Sequence, residues 1–441
     1  MRSKELRGPP LIGRSFRYLR AHGLLAFLRR IWQEFRPAPK SVRGSTTSSD
    51  SSQEAVKASE FLSTRFLSSR PLYVYKSPVS VRRINMITDS INRGSLFGGV
   101  ATAIILASLL AKRWDSELRV ITRTEKARER NFGTILKLNN IPFTKNVDFL
   151  FADVNSADVQ IDLSPNDYFL TTSWWTTRSV LQSVNVSRVI YLLQEDERMF
   201  YPHGDDHRLC SEILHSPGIR FVINTKLLFS HFVNEGFLNM RDSATWFEPS
   251  FSPQLLYSEK SAEREDKKRN LFFYARPSHP RNLFYLGLSV ICSAIERKIL
   301  DVNKWNIYFV GCDSQSITLD RGYAPIIVPN LGWEEYCSLV RKMDLGLCLM
   351  YTPHPSYPPL DLAACGGVVV TNTYGVKDAL RQYSKNIICR DATIEGLLHG
   401  LVEGVALAND HERREKNYRE DRLLRDWNES FSAVIKNLSE V

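Results

Sequence analysis

A proline-rich stretch, residues 350–367, carries the residue types best suited to binding a charged ligand. The apolar run 345–350 predicts a buried parallel strand, and four prolines within seven residues then predict a rigid, extended loop. Helix formers follow the prolines and end at Gly366 and Gly367, before a second predicted strand at 368–371. The predicted order is therefore strand, stiff loop, short helix and strand.

A helix that begins after this loop can bind anions, because the free backbone N–H groups at a helix start attract negative charge. Asp361 near that start can accept two hydroxyl hydrogens, as from a ribose. His354, Ser356 and Tyr357 lie in the loop itself and are candidate ligand contacts. The alternative interpretation is a proline-rich surface turn with a carboxylate that complements the helix dipole.

Two further segments follow predicted strands and point to phosphate binding. Arg276 and Arg281 lie five residues apart after the strand-like run 270–274, and planar guanidinium groups bind a diphosphate well. Gly98 and Gly99 lie in a turn where the backbone can approach a phosphate, although the spacing is not GxGxxG. Each pair also fits a structural role, as solvated charges on a turn or as tight helix–strand packing.

The segment 194–197 ends another predicted strand with polar and acidic groups. Gln194 is a candidate for binding sugar hydroxyls and Glu197 for accepting a proton, although the segment also fits a capped helix start. Trp174 and Trp175 can stack on the face of an acceptor sugar, or they can be ordinary core or rim aromatics. No HExxH pattern or Ser/His/Asp order is evident, so hydrolase chemistry has little support.

Alternating strands and helices must position these residues. From about residue 80 the pattern predicts a doubly wound parallel sheet, and a second strand–helix series begins after the charged stretch 252–268. Two such Rossmann-like domains bind ligand in the cleft between them, outside the carboxyl ends of the strands. The predicted divisions are an extension at 1–60, an acceptor domain at 61–255, a donor domain at 256–410 and a charged C-terminal helix at 411–441 that packs back across the domains.

The charge of the chain is concentrated in its N-terminal tail. Residues 1–43 contain eleven Lys or Arg and two Glu, whereas the remainder contains 47 basic and 46 acidic residues. A nearly neutral body does not favour nucleic-acid binding, which requires a basic face. The seven cysteines include no CxxC pair and lie mostly in apolar runs, which indicates a reducing compartment and no zinc site.

Residues 14–36 predict a basic amphipathic helix, followed by a disordered Ser/Thr-rich linker at 37–58. One interpretation is an anchor on anionic lipid, and the other is a helix docked on the chain itself or on a partner, as in a homodimer. The N-terminus lacks the apolar core of a signal peptide, and no apolar run reaches the roughly 20 residues that span a bilayer. We therefore expect a cytoplasmic protein that can lie at the inner face of the cell membrane.

Taken together, these motifs resemble the GT-B glycosyltransferases of the GT4 type. That family has a glycine pair in its first domain, and an arginine followed five residues later by a lysine in its second. Gly98 and Gly99 match the first pattern, and Arg276 with Arg281 matches the second with the charge kept.

The family also has two glutamates separated by seven residues. Asp361 falls on the second of these positions and Pro353 on the first, so one acidic partner is missing and the other is shortened. The string Pro-His-Pro-Ser-Tyr-Pro-Pro-Leu followed by an acid is also similar to the bacterial rhamnosyltransferase family of WsaF. Residues 273–277 and 194–197 share that similarity, which extends over roughly residues 80–410.

The resemblance implies a GT-B fold and a retaining hexosyltransferase of polysaccharide biosynthesis. Its donor would be a nucleoside-diphosphate sugar such as dTDP-L-rhamnose, its acceptor a glycan, and no metal or other cofactor would be required. Two other functions stay open. A non-catalytic sugar-nucleotide-binding protein would suit the missing first glutamate, and an epimerase on the same fold would need two opposed carboxylates that the sequence does not identify.

Overall fold

The computed structural model describes residues 57–78, 80–92, 96–252, 268–311, 317–319, 322–329 and 331–439. The helix predicted at 14–36 and most of the linker predicted at 37–58 lie outside these residues. No helix in the described parts is long and apolar enough to cross a membrane.

The first lobe is built on a seven-stranded parallel sheet in the order β4-β3-β2-β6-β7-β8-β9, beside a short parallel pair, β1-β5. The strands are β1 (Val74–Lys76), β2 (Arg83–Thr88), β3 (Glu117–Thr122), β4 (Val147–Phe151), β5 (Ile161–Leu163), β6 (Asp167–Thr171), β7 (Val189–Leu193), β8 (Arg220–Asn224) and β9 (Thr245–Phe247). The helices are α1 (Ala58–Arg65), α2 (Ala101–Arg113), α3 (Arg130–Leu138), α4 (Trp174–Leu181), α5 (Asp205–Leu214), α6 (Lys226–Asn234) and α7 (Leu238–Ser243). A π-helical turn, Leu96–Val100, leads into α2.

The central strands of this sheet are buried along their whole length, because helices cover both faces of a parallel sheet. Every residue of β2 and of β7 is buried, including the polar ones. Arg83 at the start of β2 is neutralised by Asp167 on the neighbouring strand, with its Nε 2.8 Å from the carboxylate. The register Arg83–Asp167 aligns the strands so that β2, β6 and β7 end at one edge.

The second lobe is built on a six-stranded parallel sheet in the order β12-β11-β10-β13-β14-β15. Its strands are β10 (Arg269–Tyr274), β11 (Trp305–Val310), β12 (Ile326–Val328), β13 (Leu345–Leu347), β14 (Val368–Asn372) and β15 (Ile387–Arg390). Its helices are α8 (Phe284–Glu296), α9 (Trp333–Val340), α10 (Tyr357–Ala364), α11 (Ile394–Asn409) and α12 (His411–Arg419). The two parallel sheets, each covered by helices, confirm the predicted α/β class. The two Rossmann-like lobes lie on either side of the cleft.

The C-terminal segment is not the single helix that the sequence pattern suggests. After α12 the chain runs without regular structure to α13 (Trp427–Ser430) and α14 (Ser432–Ser439). Trp427 and Phe431 are buried in the same apolar core as Ile84 of β2. The chain therefore returns from the second lobe and completes the core of the first.

The proline-rich loop also differs from its prediction at one point. Pro358 and Pro359 do not precede a helix but form the first turn of α10, which begins at Tyr357. Proline is compatible with a first helical turn, because the N–H groups that it lacks have no intrahelical acceptor there.

Candidate functional site

A cleft with a volume of about 420 Å³ lies between the two lobes. The glycine turn, the start of α2 and the end of β7 line it from the first lobe, and the ends of β10 and β11 line it from the second. The loop between β13 and α10 lies across from the glycine turn. The cleft brings together nine of the predicted residues: Gly98, Gly99, Gln194, Arg276, Arg281, His354, Ser356, Tyr357 and Asp361.

Arg281 forms an ion pair across the cleft with a residue that the sequence analysis did not select. Its Nη1 donates to Oε2 of Glu195 at 3.2 Å, and its guanidinium carbon lies 4.2 Å from the ring centroid of Phe200. Burial lowers the pKa of Arg281 and raises that of Glu195 to about 7, although each partner opposes the shift of the other. The pair is thus a partly buried charge pair that joins the lobes.

Arg276 lies at the end of β10 on the same side of the cleft. Its Nη1 donates to the hydroxyl of Tyr274 at 3.0 Å, and its Nη2 lies 2.6 Å from Nε2 of His279. The Nε–H of Arg276 is buried and has no hydrogen-bond partner among the described residues. A buried guanidinium N–H without an acceptor is unfavourable, so this side chain is prepared to bind an anion.

His354 is held as a neutral ring with its free nitrogen at the cleft. The backbone N–H of Ser356 donates to Nδ1 of His354 at 3.0 Å, so Nδ1 must be the acceptor and Nε2 must carry the hydrogen. Burial, with the charges of Lys377 and Arg281, lowers the pKa of His354 to about 3. The Nε2 atom is buried and has no protein partner among the described residues. It can therefore donate a hydrogen bond to a bound ligand.

The start of α10 offers fewer backbone donors than an ordinary helix. Pro358 and Pro359 occupy its second and third positions and have no N–H groups, which leaves Tyr357 as the donor of the first turn. Ser356 immediately before it has a φ of 70°, a region that residues with side chains rarely adopt. The bond from Ser356 to His354 supports that conformation. This helix start therefore offers a ligand side-chain groups more than backbone N–H groups.

Tyr357 links the second lobe to the glycine turn of the first. Its hydroxyl lies 2.8 Å from the hydroxyl of Thr102 and accepts from Nδ2 of Asn224 at 3.0 Å. Its ring faces Gly98, where an added Cβ would lie 3.4 Å from the ring and where φ is +72°. The positive φ favours glycine at Gly98, whereas a Cβ at this distance from the ring would make an ordinary van der Waals contact.

Gln194 at the end of β7 holds the other glycine. Its Nε2 donates to the backbone oxygen of Gly99 at 2.8 Å, and a Cβ at Gly99 would lie 2.9 Å from that nitrogen. The absence of a side chain at Gly99 therefore allows the amide to approach the backbone.

Asp361 lies deeper, in the first turns of α10. Its Oδ2 accepts from the hydroxyl of Tyr336 at 2.9 Å, and burial raises its pKa to about 7. An acid that is only partly ionised at neutral pH gains from each hydroxyl that donates to it, because hydrogen bonds to the carboxylate favour the charged form.

The other three predicted residues do not line the cleft. Glu197 is buried beside α4, where its carboxylate accepts the backbone N–H of Trp174 at 2.7 Å, and burial raises its pKa to about 8. Trp174 is itself a core residue whose Nε1 donates to Tyr201 at 3.0 Å. Trp175 donates to the carboxylate of Asp89 at 3.0 Å. These contacts give Glu197 and Trp174 structural roles, and the acidic group that the segment 194–197 places at the cleft is Glu195.

The residues that sequence reasoning missed are ones whose neighbours lie in the other lobe. Glu195 belongs to the segment 194–197, directly after Gln194 and beyond the end of β7 at Leu193, and both residues line the cleft. Asn224 and Thr102 belong to no sequence motif, and only their hydrogen bonds with the hydroxyl of Tyr357 show that they help to form the cleft. Among the described residues, no three His, Cys, Asp or Glu side chains are grouped so as to hold a metal ion.

Two family models match this chain. The model described as "WsaF, N-terminal domain" matches residues 83–225, and "WsaF, C-terminal domain" matches residues 269–402. Together they cover more than half of the chain. This chain belongs to the WsaF family. The first match contains the glycine turn and Glu195, and the second contains both cleft arginines and the proline-rich loop.

A curated relative and two solved structures are similar to this WsaF-family chain. The O-antigen biosynthesis protein RfbC of Myxococcus xanthus is 30% identical over 275 residues, which are 62% of this chain and 20% of RfbC. The chain thus spans about a fifth of the length of that relative.

Both solved structures are similar in fold. Anabaena HepE, in complex with UDP and glucose, is 12% identical with a TM-score of 0.54, over 81% of this chain and 99% of HepE. An S. aureus TarM mutant, in complex with fondaparinux, alpha-GlcNAc-glycerol and UDP, is 8% identical with a TM-score of 0.54, over 82% of this chain and 99% of TarM. This WsaF-family chain has the GT-B fold, and its family and fold are those of glycosyltransferases.

Proposed function

We propose that this chain is a retaining glycosyltransferase that transfers L-rhamnose from dTDP-L-rhamnose to a hydroxyl of a growing surface glycan. The observation that carries the proposal is one interlobe cleft in which Arg276, Arg281 and the Nε2–H of His354 meet as donors. Such a set suits the two charges of a donor diphosphate, since guanidinium groups bind phosphate oxygens well. The choice of rhamnose is supported by the resemblance of the loop to the rhamnosyltransferases.

The donor would lie against the second lobe. Arg276 and Arg281 would neutralise the charge that develops on the leaving diphosphate, which preorganised donors stabilise in a site shielded from water. Asp361 would accept the ribose hydroxyls beside Tyr336, whose hydroxyl already fixes one carboxylate oxygen. His354 would donate through Nε2 to a phosphate or a sugar hydroxyl. These groups supply the charge that the reaction requires, so the proposed transfer needs no metal ion or other cofactor.

The transfer would proceed on one face of the sugar. The bond from the anomeric carbon to the diphosphate breaks, and the acceptor oxygen forms its bond to that carbon from the same side. The acceptor proton passes to the leaving phosphate oxygen, so no protein nucleophile takes part. Closed lobes around the donor limit hydrolysis, because they exclude water from the reacting carbon.

The glycan acceptor would enter from the first lobe. Gln194 lines the cleft and can contact it, and Trp175 is partly exposed at the start of α4. Trp174 is not included in this proposal, because the residue is only 2% exposed and cannot stack on a sugar. We further propose that the protein acts on the cytoplasmic side of a membrane, with residues 14–36 as the contact to lipid or to a second copy of the chain.

Incubation with a panel of nucleoside-diphosphate sugars and a glycan acceptor tests the proposal. We expect transfer from dTDP-L-rhamnose, with the anomeric configuration of the donor kept in the product as measured by NMR. Binding of the nucleotide without transfer to any acceptor would identify a binding protein instead. Conversion of the sugar nucleotide without an acceptor would identify an epimerase, and an inverted product would exclude the same-face mechanism.

A further inference from the structure

Glu195 is a first-lobe carboxylate that accepts side-chain hydrogen bonds from two residues of the second lobe. Its Oε2 accepts from Nη1 of Arg281 at 3.2 Å and from the hydroxyl of Thr352 at 3.1 Å. The two donors come from separate loops, one after β10 and one after β13. One carboxylate oxygen of the first lobe therefore binds two separate loops of the second lobe.

The carboxylate is itself fixed within its own lobe. The backbone N–H of Asp196 donates to its other oxygen, Oε1, at 3.1 Å. The buried ammonium of Lys377 also acts on the charge of Glu195, and it is anchored by donating to the backbone oxygen of Met350. With both oxygens engaged, Glu195 has a defined orientation toward Arg281.

The side chain of Arg281 is held mainly by the first lobe, whereas its backbone belongs to the second. Glu195 contacts the guanidinium at its edge and Phe200 at its face, and both are first-lobe residues. The backbone oxygen of Arg281 accepts from Tyr351 of the second lobe at 2.7 Å. If the lobes separate, the guanidinium loses both of these contacts, so its position reports whether the cleft is closed.

We infer that Glu195 is a positioning residue that orients Arg281 toward the donor diphosphate when the two lobes close. The inference rests on the transferase function proposed above and adds a residue to it. Glu195 does not touch the donor in this arrangement; it acts through Arg281 and, by way of Thr352, through the loop that carries His354. Arg281 would then reach its position at the diphosphate only when the lobes are closed, so the reactive site would not form in the open protein.

The test is a double-mutant cycle with the variants Glu195→Ala and Thr352→Val, alone and combined. With dTDP-L-rhamnose as donor, we expect Glu195→Ala to lower kcat roughly 10–100-fold and Thr352→Val to lower it by roughly threefold to tenfold. The double variant should be no slower than Glu195→Ala, because residues that act through one contact are not additive. Glu195→Gln keeps an acceptor oxygen and should recover part of the rate.

Glu248→Gln is the matched control. Glu248 is also a first-lobe carboxylate with a second-lobe partner, since it accepts from the hydroxyl of Tyr383 at 2.7 Å, but it does not contact Arg281. Its rate should stay within about twofold of the parent protein, as expected for a substitution that leaves transition-state contacts unchanged. Multiplicative effects of Glu195→Ala and Thr352→Val, or a normal kcat in Glu195→Ala, would overturn the inference.

Calorimetry with TDP alone separates this inference from the proposed reaction. A positioning role predicts that Glu195→Ala binds TDP roughly threefold to tenfold more weakly, because Arg281 must then be ordered by the ligand. If Glu195 instead competes with the diphosphate for Arg281, the variant binds TDP more tightly, and the positioning role is wrong. The direction of this change in TDP affinity can be measured even if the parent protein transfers no sugar. In that case only the proposed reaction is wrong.

Discussion

The hydroxyl of Tyr357, in the second lobe, accepts a hydrogen bond from Nδ2 of Asn224, in the first, at 3.0 Å. The same hydroxyl lies 2.8 Å from that of Thr102, so one second-lobe side chain reaches both α2 and the end of β8. Thr102 and Asn224 are buried, Tyr357 is partly buried, and the ring of Tyr357 lies against Gly98. The wall of the cleft beside the glycine turn is therefore built by both lobes together.

Removing this hydroxyl should weaken the join between the lobes. Tyr357→Phe leaves the buried amide of Asn224 without its shortest partner, and an unsatisfied buried donor costs about 1–3 kcal/mol. We expect a lower midpoint in thermal unfolding and weaker nucleotide binding. Tyr285→Phe is the control, because Tyr285 is 72% exposed and should show no shift. An unchanged midpoint in Tyr357→Phe would mean that the contact contributes nothing.

Arg276 should be required for turnover more than for folding. Arg276→Ala should lower turnover by roughly 10²–10³, the loss typical of removing one charge-stabilising donor. Steady-state rates with dTDP-L-rhamnose and a glycan acceptor measure it, and Arg241→Ala, at an exposed pair with Asp242, is the control. Turnover near that of the parent protein would remove Arg276 from the proposed site.

Much of this arrangement could be predicted from the sequence because it depends on local pattern. Alternating apolar runs indicate parallel strands, and parallel strands place their carboxyl ends at one edge, which is where Arg276 and the proline-rich loop lie. The predicted donor residues Arg281, His354 and Asp361 accordingly line one cleft. The predicted extended conformation at Pro358 is wrong for a local reason as well, since proline interrupts helices but is also common in their first turn.

The rest depends on contacts between segments far apart in the chain. Glu195 and Thr352 are 157 residues apart in sequence, and the packing of the two lobes brings their side chains to 3.1 Å. Thr352 precedes Pro353, so the hydrogen bond from Thr352 places a first-lobe carboxylate beside the proline-rich loop. Glu195 and Glu197 both follow β7, so local sequence does not distinguish them. The hydrogen bond from the backbone N–H of Trp174 that holds Glu197 away from the cleft depends on where α4 packs.

His354 should remain neutral, with its hydrogen on Nε2, throughout the physiological range. Burial and two nearby cations, Lys377 and Arg281, lower its pKa to about 3, so it gains no proton between pH 8 and pH 5. Long-range ¹H–¹⁵N spectra of protein labelled at histidine should show one Nε2–H tautomer in this interval, assigned by its loss in His354→Gln. Titration of that signal near pH 6, or an Nδ1–H tautomer, would contradict the bond from Ser356.

Nucleotide binding should tighten as the pH rises through 7, because of Asp361. Burial raises the pKa of Asp361 to about 7, and ribose hydroxyls donate more strongly to its ionised form than to its protonated form. When the ionised form binds a ligand more tightly, binding weakens below the pKa of the group, by at most about tenfold for each pH unit.

Calorimetry between pH 6 and pH 8 with UDP-glucose or dTDP-L-rhamnose measures this dependence, since a diphosphate diester has no titrating phosphate group in that range. Asp361→Asn mimics the protonated acid, so it should bind weakly at every pH and lose the dependence. Glu195 also has a pKa raised to about 7, and Glu195→Gln shows how much of the effect belongs to that group instead. If Asp361→Asn keeps the full pH dependence of the parent protein, Asp361 does not hold the ribose.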